Sequence, residues 1–418
     1  MTKYIYYGAG KYAQEHFEDF RKKYEPLCFC DRSAENVDGG QMLFDLPVYP
    51  LSAMLERFPE APIVVTVDPL VSKRIVQQYL IDELDISKDR IINYEIYEYG
   101  PSCWFLDNHV VLRKSKMLLC CSPGEANPSP VTFINENDTA SQHVKKLIDL
   151  RNRIKKQISE GMPCECTGCP NLEQTWFRAN HKVEMILLLF ASPCNLRCIY
   201  CAQEGSLQTL EDFDGIHISN IVKSMMEENL VYFGTLINFA TGEITVHPKR
   251  REILSSFNGI RTQICTNGVV YDDVLVEHLK LGKSIINCSI DAGTRETYKK
   301  IKGADKFEIV CENLKRYSQF VKIDLKYLFM DGENDDDNNI DGFIRFSLEL
   351  KPRFVLLGRN HKNMCSLSNH ALRQMAKVTF ELNKFGINNR LENEQFHVEE
   401  KERLKNFISE RMGDRYAL

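Results

Sequence analysis

The stretch that decides the fold is "KVEMILLLFASPCNLRCIYC" at residues 182–201, where an apolar run leads directly into three cysteines. The apolar run, residues 182–191, is typical of a buried strand. Cys194, Cys198 and Cys201 follow it, spaced four and then three positions apart. Several thiolates this close together select zinc or an iron–sulfur cluster. The sequence therefore predicts a metal centre in the loop that follows a strand.

The ligand set of this loop favours a cluster over structural zinc. Structural zinc is closed by four ligands, typically as two C-x2-C pairs. This loop instead has C-x3-C-x2-C, and no histidine occurs in the fifteen residues after Cys201. A 4Fe–4S cluster usually takes four cysteines, so three cysteines leave one iron open for a ligand that is not a protein side chain.

The chain from residue 182 to residue 390 alternates strand-like and helix-like segments. The strand-like runs are 182–191, 234–240, 260–266, 284–290, 321–330 and 352–358. Their spacing matches the size of a βαβ repeat, roughly 30 residues. Right-handed crossovers of such repeats predict a partial (β/α)6 TIM-type barrel. Chemistry in barrels of this kind lies on loops after the strand ends, which is where the three cysteines fall.

Residues 1–105 predict a smaller α/β unit with a Rossmann-like parallel sheet. "KYIYYGAGKYAQ" (3–14) reads as a strand, a glycine turn and the start of a helix, and further strands are predicted at 27–31, 61–68 and 90–96. Gly8 and Gly10 in the turn, with Asp31 about twenty residues further on, are typical of a nucleotide site. A scaffold domain with an empty turn gives the same pattern, so both interpretations stay open.

Residues 106–181 are predicted to be a linker and cysteine-containing connector, and residues 391–418 a C-terminal tail or helix. The connector holds Cys164, Cys166 and Cys169 within six residues. These thiols suit an auxiliary 4Fe–4S cluster, a structural zinc ion, or no metal at all. A cluster would need a fourth ligand from the substrate or from one of Cys103, Cys120, Cys121 and Cys365.

A run of acidic and amide residues follows the fifth strand. Asp337-x-Asn339-x-Asp341-Gly342 begins like a calcium-binding EF-hand loop, but Leu348 stands where the bidentate glutamate is needed. The sequence predicts a solvated loop entering a helix here.

Four motifs in order make the chain resemble the radical S-adenosylmethionine (SAM) enzymes over about residues 160–390. The family signature is C-x3-C-x2-C with an aromatic before the third cysteine, which Tyr200 matches. Thr241-Gly242-Glu243 is similar to a Gly-Gly-Glu-like stretch after the second strand, with Thr in place of the first Gly. "TNG" (266–268) and "SID" (289–291) end the third and fourth strands as in many members.

The resemblance implies both cofactors and the hydrogen-abstraction chemistry. In that family three cysteines hold a 4Fe–4S cluster, and the amino and carboxylate groups of SAM chelate the open iron. Reductive cleavage of SAM yields a 5′-deoxyadenosyl radical that abstracts hydrogen from a substrate carbon. The residues that the resemblance places against SAM are Tyr200, Thr241, Gly242, Glu243, Asn267, Ser289 and Asp291. It assigns no further catalytic side chain.

The substrate is predicted to be a sugar, sugar nucleotide or saccharide, because the N-terminal unit looks like a domain found in sugar-modifying enzymes. Dehydrogenation or epimerisation is the expected reaction. Modification of a peptide or protein side chain is the alternative, and a non-catalytic iron–sulfur or zinc protein is the third hypothesis. The expected electron donor is a protein such as flavodoxin or ferredoxin.

Charge and hydropathy argue against two kinds of partner. The formal net charge is −5 and no dense Lys/Arg block occurs, which disfavours nucleic acid. The most apolar run, residues 185–191, is far shorter than the ~20 residues of a membrane helix. With no export signal at the N-terminus, a cytoplasmic location is expected.

Overall fold

The computed structural model describes residues 2–34, 41–67, 72–120, 129–189, 193–201, 213–240, 242–360, 366–392 and 396–412. The chain forms two compact units. The N-terminal unit comprises Met1–Asp107, Ile158–Met162 and Gly168–Lys182, and the barrel unit comprises Asn108–Gln157, Pro163–Thr167 and Val183–Leu418. None of the helices within the described ranges is long and apolar enough to cross a membrane.

The N-terminal unit is built on a five-stranded sheet in the order β3-β4-β2-β1-β5. The strands are β1 (Tyr4–Tyr7), β2 (Pro26–Cys30), β3 (Gln41–Leu43), β4 (Leu46–Tyr49) and β5 (Ile63–Val65). β4, β2, β1 and β5 are parallel, and β3 is antiparallel to β4. The helices of this region are α1 (Lys11–Glu15), α2 (Phe17–Lys23), α3 (Leu51–Arg57), α4 (Lys73–Asp82) and α5 (Trp104–Asn108). A separate antiparallel pair joins β6 (Tyr97–Ser102) to β10 (Glu173–Arg178).

The strand predicted at residues 90–96 is not formed as a full strand. A single bridge joins Ile63 to Ile91. The Asn93 side chain then bonds both the backbone N–H and the carbonyl of Val65, each at 2.9 Å, and so replaces the ladder that another strand would provide. The sheet grows instead at its other edge through β4 and β3.

The barrel unit contains a ten-stranded sheet in the order β17-β16-β15-β14-β13-β12-β11-β7-β8-β9. Its strands are β7 (His109–Arg113), β8 (Lys116–Leu118), β9 (Val131–Phe133), β11 (Val183–Leu189), β12 (Val231–Phe239), β13 (Arg261–Cys265), β14 (Ser284–Ser289), β15 (Lys322–Phe329), β16 (Phe354–Arg359) and β17 (Asn389–Leu391). Every neighbouring pair in the part of the sheet that runs from β17 to β11 and on to β7 is parallel. At the remaining edge, β8 is antiparallel to β7, and β9 is antiparallel to β8. The mixed α/β class and the six predicted strands are therefore confirmed.

Helices follow most of these strands. They are α6 (Ala140–Ser159), α7 (Ile218–Glu227), α8 (Arg250–Ser255), α9 (Asp273–Leu279), α10 (Arg295–Lys302), α11 (Phe307–Tyr317), α12 (Asp337–Leu350), α13 (Asn369–Lys384) and α14 (Val398–Met412). Tyr327 of β15 packs on Phe343 of α12, with ring centroids 4.6 Å apart. Because strand side chains alternate, residues of the opposite parity, such as Lys326, belong to the inner face of the sheet.

The stretch predicted as a linker, residues 106–181, differs most from expectation. β7 pairs in parallel with β11, and β8, β9 and α6 belong with it to the barrel unit. Val110, Val111 and Leu112 are completely buried, so β7 is part of the core of the barrel unit. The run is too short for its periodicity to separate a buried strand from irregular chain.

Candidate functional site

The three-cysteine loop lies at the C-terminal end of β11, and its described part is residues 193–201. The end of α10 fixes this loop through the backbone. Arg197 N–H donates to the carbonyl of Lys302 at 3.1 Å, and Ile199 N–H donates to that of Ile301 at 3.0 Å. The geometry of the loop is therefore set by a helix a hundred residues further along the chain.

Gly303 allows α10 to end against the loop. It caps the helix with a φ of +69°, a left-handed conformation that favours glycine. A Cβ atom at this position would lie 2.8 Å from the carbonyl oxygen of Arg197. Both the turn and the close approach thus require a residue without a side chain.

Cys194, Cys198 and Cys201 are partly buried thiols, and none of them is in a disulfide. Burial raises the pKa of Cys194 and of Cys198, and each of these thiols is also affected by Cys201. Asn267 Nδ2 donates to the Cys194 sulfur at 3.7 Å. The three sulfur atoms therefore lie in one electrostatic environment.

The donor set of the loop suits a cluster rather than a single metal ion. Among the described residues, no three His, Cys, Asp or Glu side chains converge as ligands of a single metal ion. Cubane ligation differs from this, because each thiolate binds a different iron. Three thiols from one loop, in mutual electrostatic reach, fit the cysteine ligands of a 4Fe–4S cluster.

Glu243, the predicted SAM residue after β12, is completely buried and links three loops. Its carboxylate accepts hydrogen bonds from Thr245, from the Thr266 hydroxyl at 2.8 Å and from Asn267 N–H at 2.5 Å. Its own N–H donates to the carbonyl of Pro193 at 2.8 Å. Burial raises the pKa of Glu243, and these hydrogen bonds oppose that effect. Its neighbour Gly242 has a φ of +58°, and Thr241 lies outside the described residues.

Asn267 connects the turn after β13 to the cysteine loop. Its Nδ2 donates to the Asn195 side-chain oxygen at 2.7 Å as well as to Cys194. Asn313 of α11 holds the other side of this turn by donating to the carbonyl of Gly268 at 2.9 Å. Asn267 is therefore brought to the cysteine loop, and its predicted contact with SAM stays a prediction.

Asp291, after β14, is completely buried and has protein partners on both oxygens. Oδ2 accepts from Tyr200 Oη at 2.6 Å and from Lys302 Nζ at 2.5 Å. Oδ1 accepts from Leu328 N–H at 2.7 Å. Lys302 also donates to the backbone carbonyl of Ser289 at 2.5 Å. Contact of Tyr200, Ser289 or Asp291 with SAM stays a prediction, since the observed role of Asp291 is to join these elements.

No sequence pattern indicates a role for Lys302. It follows Lys299 and Lys300 at the end of a helix with a charged face, and nothing in that pattern shows which lysine points inwards. The only local signal is its position directly before Gly303, where α10 must end.

The predicted solvated loop at Asp337–Gly342 is wrong, because Asn339 is completely buried in the first turn of α12. Asn339 Oδ1 accepts from Gly293 N–H at 2.6 Å, and its Nδ2 donates to the carbonyl of Asn334 at 2.6 Å. Asn334 in turn donates to the carbonyl of Asp291 at 2.9 Å. These amides fix the loop that carries Asp291.

A polar strip lies on the inner face of the sheet, on strands β12 to β15. Cys265 Sγ contacts Asn238 Oδ1 at 3.5 Å, and Cys265 is in register with Asn287. Asn287 Oδ1 is buried, and no hydrogen-bond partner for it occurs among the described residues. Lys326 Nζ donates to Glu392 Oε1 at 2.5 Å, and these side chains are 17% and 15% exposed. Asn238, Asn287 and the Lys326–Glu392 pair therefore give the strip amide groups and a self-neutralised ion pair.

The residues of the cysteine loop and its neighbouring loops lie in a segment that matches a known protein family. Residues 189–344, which include the cysteine loop, Glu243, Asn267 and Asp291, match the Radical SAM superfamily. The chain carries a radical SAM domain. The predicted cofactors, a 4Fe–4S cluster and SAM, are those of this superfamily and are confirmed at that level.

Curated relatives of the radical SAM domain include GTP 3′,8-cyclases. The chain is 29% identical over 188 residues to a GTP 3′,8-cyclase of Chlorobaculum tepidum, covering 43% of this chain and 55% of the relative. It is 25% identical over 179 residues to an uncharacterized protein of Methanocaldococcus jannaschii, covering 41% and 56%. The chain thus spans about half the length of the curated relatives it matches.

Solved structures give weaker similarity. Streptococcus suis SuiB bound to S-adenosylmethionine matches with a TM-score of 0.43 and 14% identity, covering 59% of this chain and 56% of that one.

The second cysteine group, Cys164, Cys166 and Cys169, is divided between the two units. Cys164 and Cys166 belong to the barrel unit, and Cys169 belongs to the N-terminal unit. The backbone N–H of Cys164 donates to Thr167 Oγ1 at 2.8 Å. Joint ligation of a cluster or zinc by the three thiols stays a prediction. Of the proposed fourth ligands, Cys103 and Cys120 are described, and Cys121 and Cys365 lie outside the described residues.

The glycine turn after β1 is closed by Asp31. Asp31 Oδ2 accepts from Ala9 N–H at 2.7 Å, and Oδ1 accepts from the Ser33 N–H and hydroxyl at 2.9 and 2.7 Å. Gly8 has a φ of +113°, and a Cβ atom there would lie 2.7 Å from Val67. The carboxylate that the pattern assigns to a ribose is already bonded within the protein. Nucleotide binding at Gly8 and Gly10 stays a prediction.

Proposed function

We propose that this protein is a radical SAM enzyme in which Cys194, Cys198 and Cys201 hold a 4Fe–4S cluster with one iron left for SAM. The observation that carries the proposal is the anchoring of the cysteine loop. Its three thiols are presented at the strand ends, while its backbone is bonded to α10. When bound, the reduced cluster and SAM supply the one-electron chemistry that abstracts hydrogen from a substrate carbon.

The protein residues in this proposal bind and position. Asn267 orients Cys194 and Asn195, and Glu243 holds the turns after β12 and β13 in place. Each of these contacts joins the cysteine loop or a neighbouring strand-end loop to another element. A low-potential protein such as flavodoxin or ferredoxin, in the cytoplasm, is the proposed electron donor.

The proposed substrate is a sugar, sugar nucleotide or saccharide that is dehydrogenated or epimerised. The polar strip supports a hydroxyl-rich, neutral reacting group, because Asn238 and Asn287 offer amide donors and acceptors. Lys326, the cation of the strip, is paired with Glu392 at 2.5 Å, so its charge is already compensated. Amides and compensated charges suit hydroxyl groups better than the several negative charges of a triphosphate.

A purine nucleotide is the second candidate substrate, and the observation that favours it is the 29% identity to a protein named GTP 3′,8-cyclase. For the N-terminal unit we propose a Rossmann-like scaffold role, because Asp31 already closes the glycine turn at 2.7 Å.

SAM cleavage tests the proposed function. Anaerobically reconstituted protein is reduced with dithionite in the presence of SAM, and 5′-deoxyadenosine is measured together with iron and sulfide. We expect about four irons per chain and release of 5′-deoxyadenosine. About eight irons would place a second cluster at Cys164, Cys166 and Cys169. A protein that binds no iron, or binds a cluster without cleaving SAM, contradicts the proposal.

Substrate class is tested with the same assay by adding UDP-sugars, free sugars or GTP. A substrate stimulates 5′-deoxyadenosine release. We expect stimulation by sugars that Asn287→Leu reduces by about two- to ten-fold, since one lost neutral hydrogen bond is worth about 0.5–1.5 kcal/mol. Stimulation by GTP alone would replace the sugar hypothesis with the nucleotide one.

A further inference from the structure

Lys302, Asp291 and Tyr200 form a buried cluster of their own, called here the Lys302 triad. The side chain of Lys302 is 2% exposed and that of Asp291 is 0% exposed. Lys302 Nζ donates three hydrogen bonds of 2.5 Å, to Asp291 Oδ2, Tyr200 Oη and the carbonyl of Ser289. An ammonium group has three protons, so its donor capacity is fully used.

The triad reaches directly into the cysteine loop. Tyr200 lies between Cys198 and Cys201, and its hydroxyl donates to Asp291 at 2.6 Å. The Lys302 ammonium also lies 4.9 Å from the centre of the Tyr200 ring. Together with the backbone bonds from Arg197 and Ile199 to the end of α10, these contacts hold the loop at both its backbone and its aromatic side chain.

Stability alone does not account for this burial. Moving both charges of an ion pair out of water costs several kcal/mol per ion, and apolar residues of similar size are often as stable. Lys300, on the same helix, avoids this cost, because its side chain is 53% exposed and pairs with Glu333 on the surface.

We propose that Lys302 is a positioning residue for the cluster: it fixes the cysteine loop through the Tyr200 hydroxyl and so holds the neighbouring ligands Cys198 and Cys201 in place. The inference rests on the proposed cluster at Cys194, Cys198 and Cys201. Contacts that orient the ligands of a metal site set both its affinity for the metal and its midpoint potential.

The test replaces Lys302 and measures the cluster rather than turnover. Lys302→Met keeps the length of the side chain and removes the charge, Lys302→Arg keeps the charge, and Lys300→Met is the matched surface control. Each protein is reconstituted anaerobically, and its iron content and EPR-monitored midpoint potential are measured. We expect Lys302→Met to bind less iron than wild type and to have a shifted midpoint potential, because the cysteine loop loses the contact that orients it. Lys302→Arg and Lys300→Met should match wild type.

A double variant keeps the test decisive if Lys302→Met leaves Asp291 unpaired and fails to fold. Lys302→Met/Asp291→Asn removes both charges, and Asn tolerates the φ of +53° at position 291. Because this variant also lacks the hydrogen bond from Lys302 Nζ to the Tyr200 hydroxyl, it should likewise bind less iron and have a shifted midpoint potential. A wild-type midpoint potential in the folded variants overturns the proposal. Absence of a cluster from wild-type protein would instead overturn the proposed function.

Discussion

The loop after β1 and the loop after β11 each follow a parallel strand and carry a motif that predicts a ligand, but they are built in different ways. In the first, Asp31 turns back on its own loop and bonds Ala9 and Ser33. In the second, the three thiols are left at the strand ends, and remote elements hold the backbone. The difference shows that a motif alone does not identify a binding loop. The origin of the hydrogen bonds that hold the loop, from within it or from remote elements, also has to be considered.

Acidic residues make the same point within the barrel unit. Glu243 and Asp291 both occupy positions that family resemblance assigns to SAM, and both are completely buried. Their oxygens accept hydrogen bonds from the turn after β13, from the end of α10 and from β15. Such carboxylates organise the loops of the site and leave the thiols available.

The largest expected effect separates the two loops by their metal content. Simultaneous replacement of Cys194, Cys198 and Cys201 by alanine should lower the iron content by about four per chain. Asp31→Asn, the matched change in the other loop, should leave it unchanged. Iron and sulfide analysis after anaerobic reconstitution measures both. Equal iron content in wild type and the triple variant would contradict the assignment of the cluster to the cysteine loop.

A smaller effect is expected where α10 meets the cysteine loop. Gly303→Ala should destabilise the protein by at least about 1 kcal/mol through its positive φ, and further through the contact with Arg197 O. Gly386→Ala is the control, since Gly386 has a φ of +73° and a Cβ atom added there would have no neighbouring atom within 4 Å. Urea unfolding should show a greater loss for Gly303→Ala, and only this variant should bind less iron. Equal losses of unfolding free energy in the two variants would mean that the close approach of α10 to the loop does not contribute to stability.

The smallest expected effect concerns the pH dependence of the loop after β1. Burial by itself raises the pKa of Asp31, but hydrogen bonds from Ala9 and Ser33 outweigh it and hold the pKa below its ordinary value. A lowered folded-state pKa gives stability that is present above about pH 4 and is lost as the pH falls below it. At pH 7 the free energy of unfolding of wild type, measured in urea, should therefore exceed that of Asp31→Asn by about 1 kcal/mol. This difference in free energy should shrink below about pH 4. An advantage that does not change with pH would contradict the role given to Asp31.

Local patterns were enough to predict much of the barrel unit. The apolar runs at residues 182–191 and 284–290 correspond to β11 and β14, because a short continuous apolar run is a local signal of a buried strand. The place of the cysteine loop follows from the same pattern, since the loop comes directly after β11.

Features that depend on distant partners could not be predicted from the sequence. β7 is recognisable only by its pairing with β11. Asn339 looks solvated until Gly293 and Gly342 are seen to approach so closely that a Cβ atom on Gly293 would overlap the Asn339 carbonyl oxygen. Lys302 resembles its exposed neighbours until Asp291 is placed beside it. In each case the deciding contact joins residues that lie on different elements of the fold.

The most direct test of the central claim is the EPR spectrum of the reduced, reconstituted protein before and after addition of SAM. If Cys194, Cys198 and Cys201 hold a cluster with one open iron, the spectrum should change when SAM binds, and the triple alanine variant should show no such change. A cluster signal in wild type that is identical with and without SAM would contradict the claim that this loop presents an open iron to SAM.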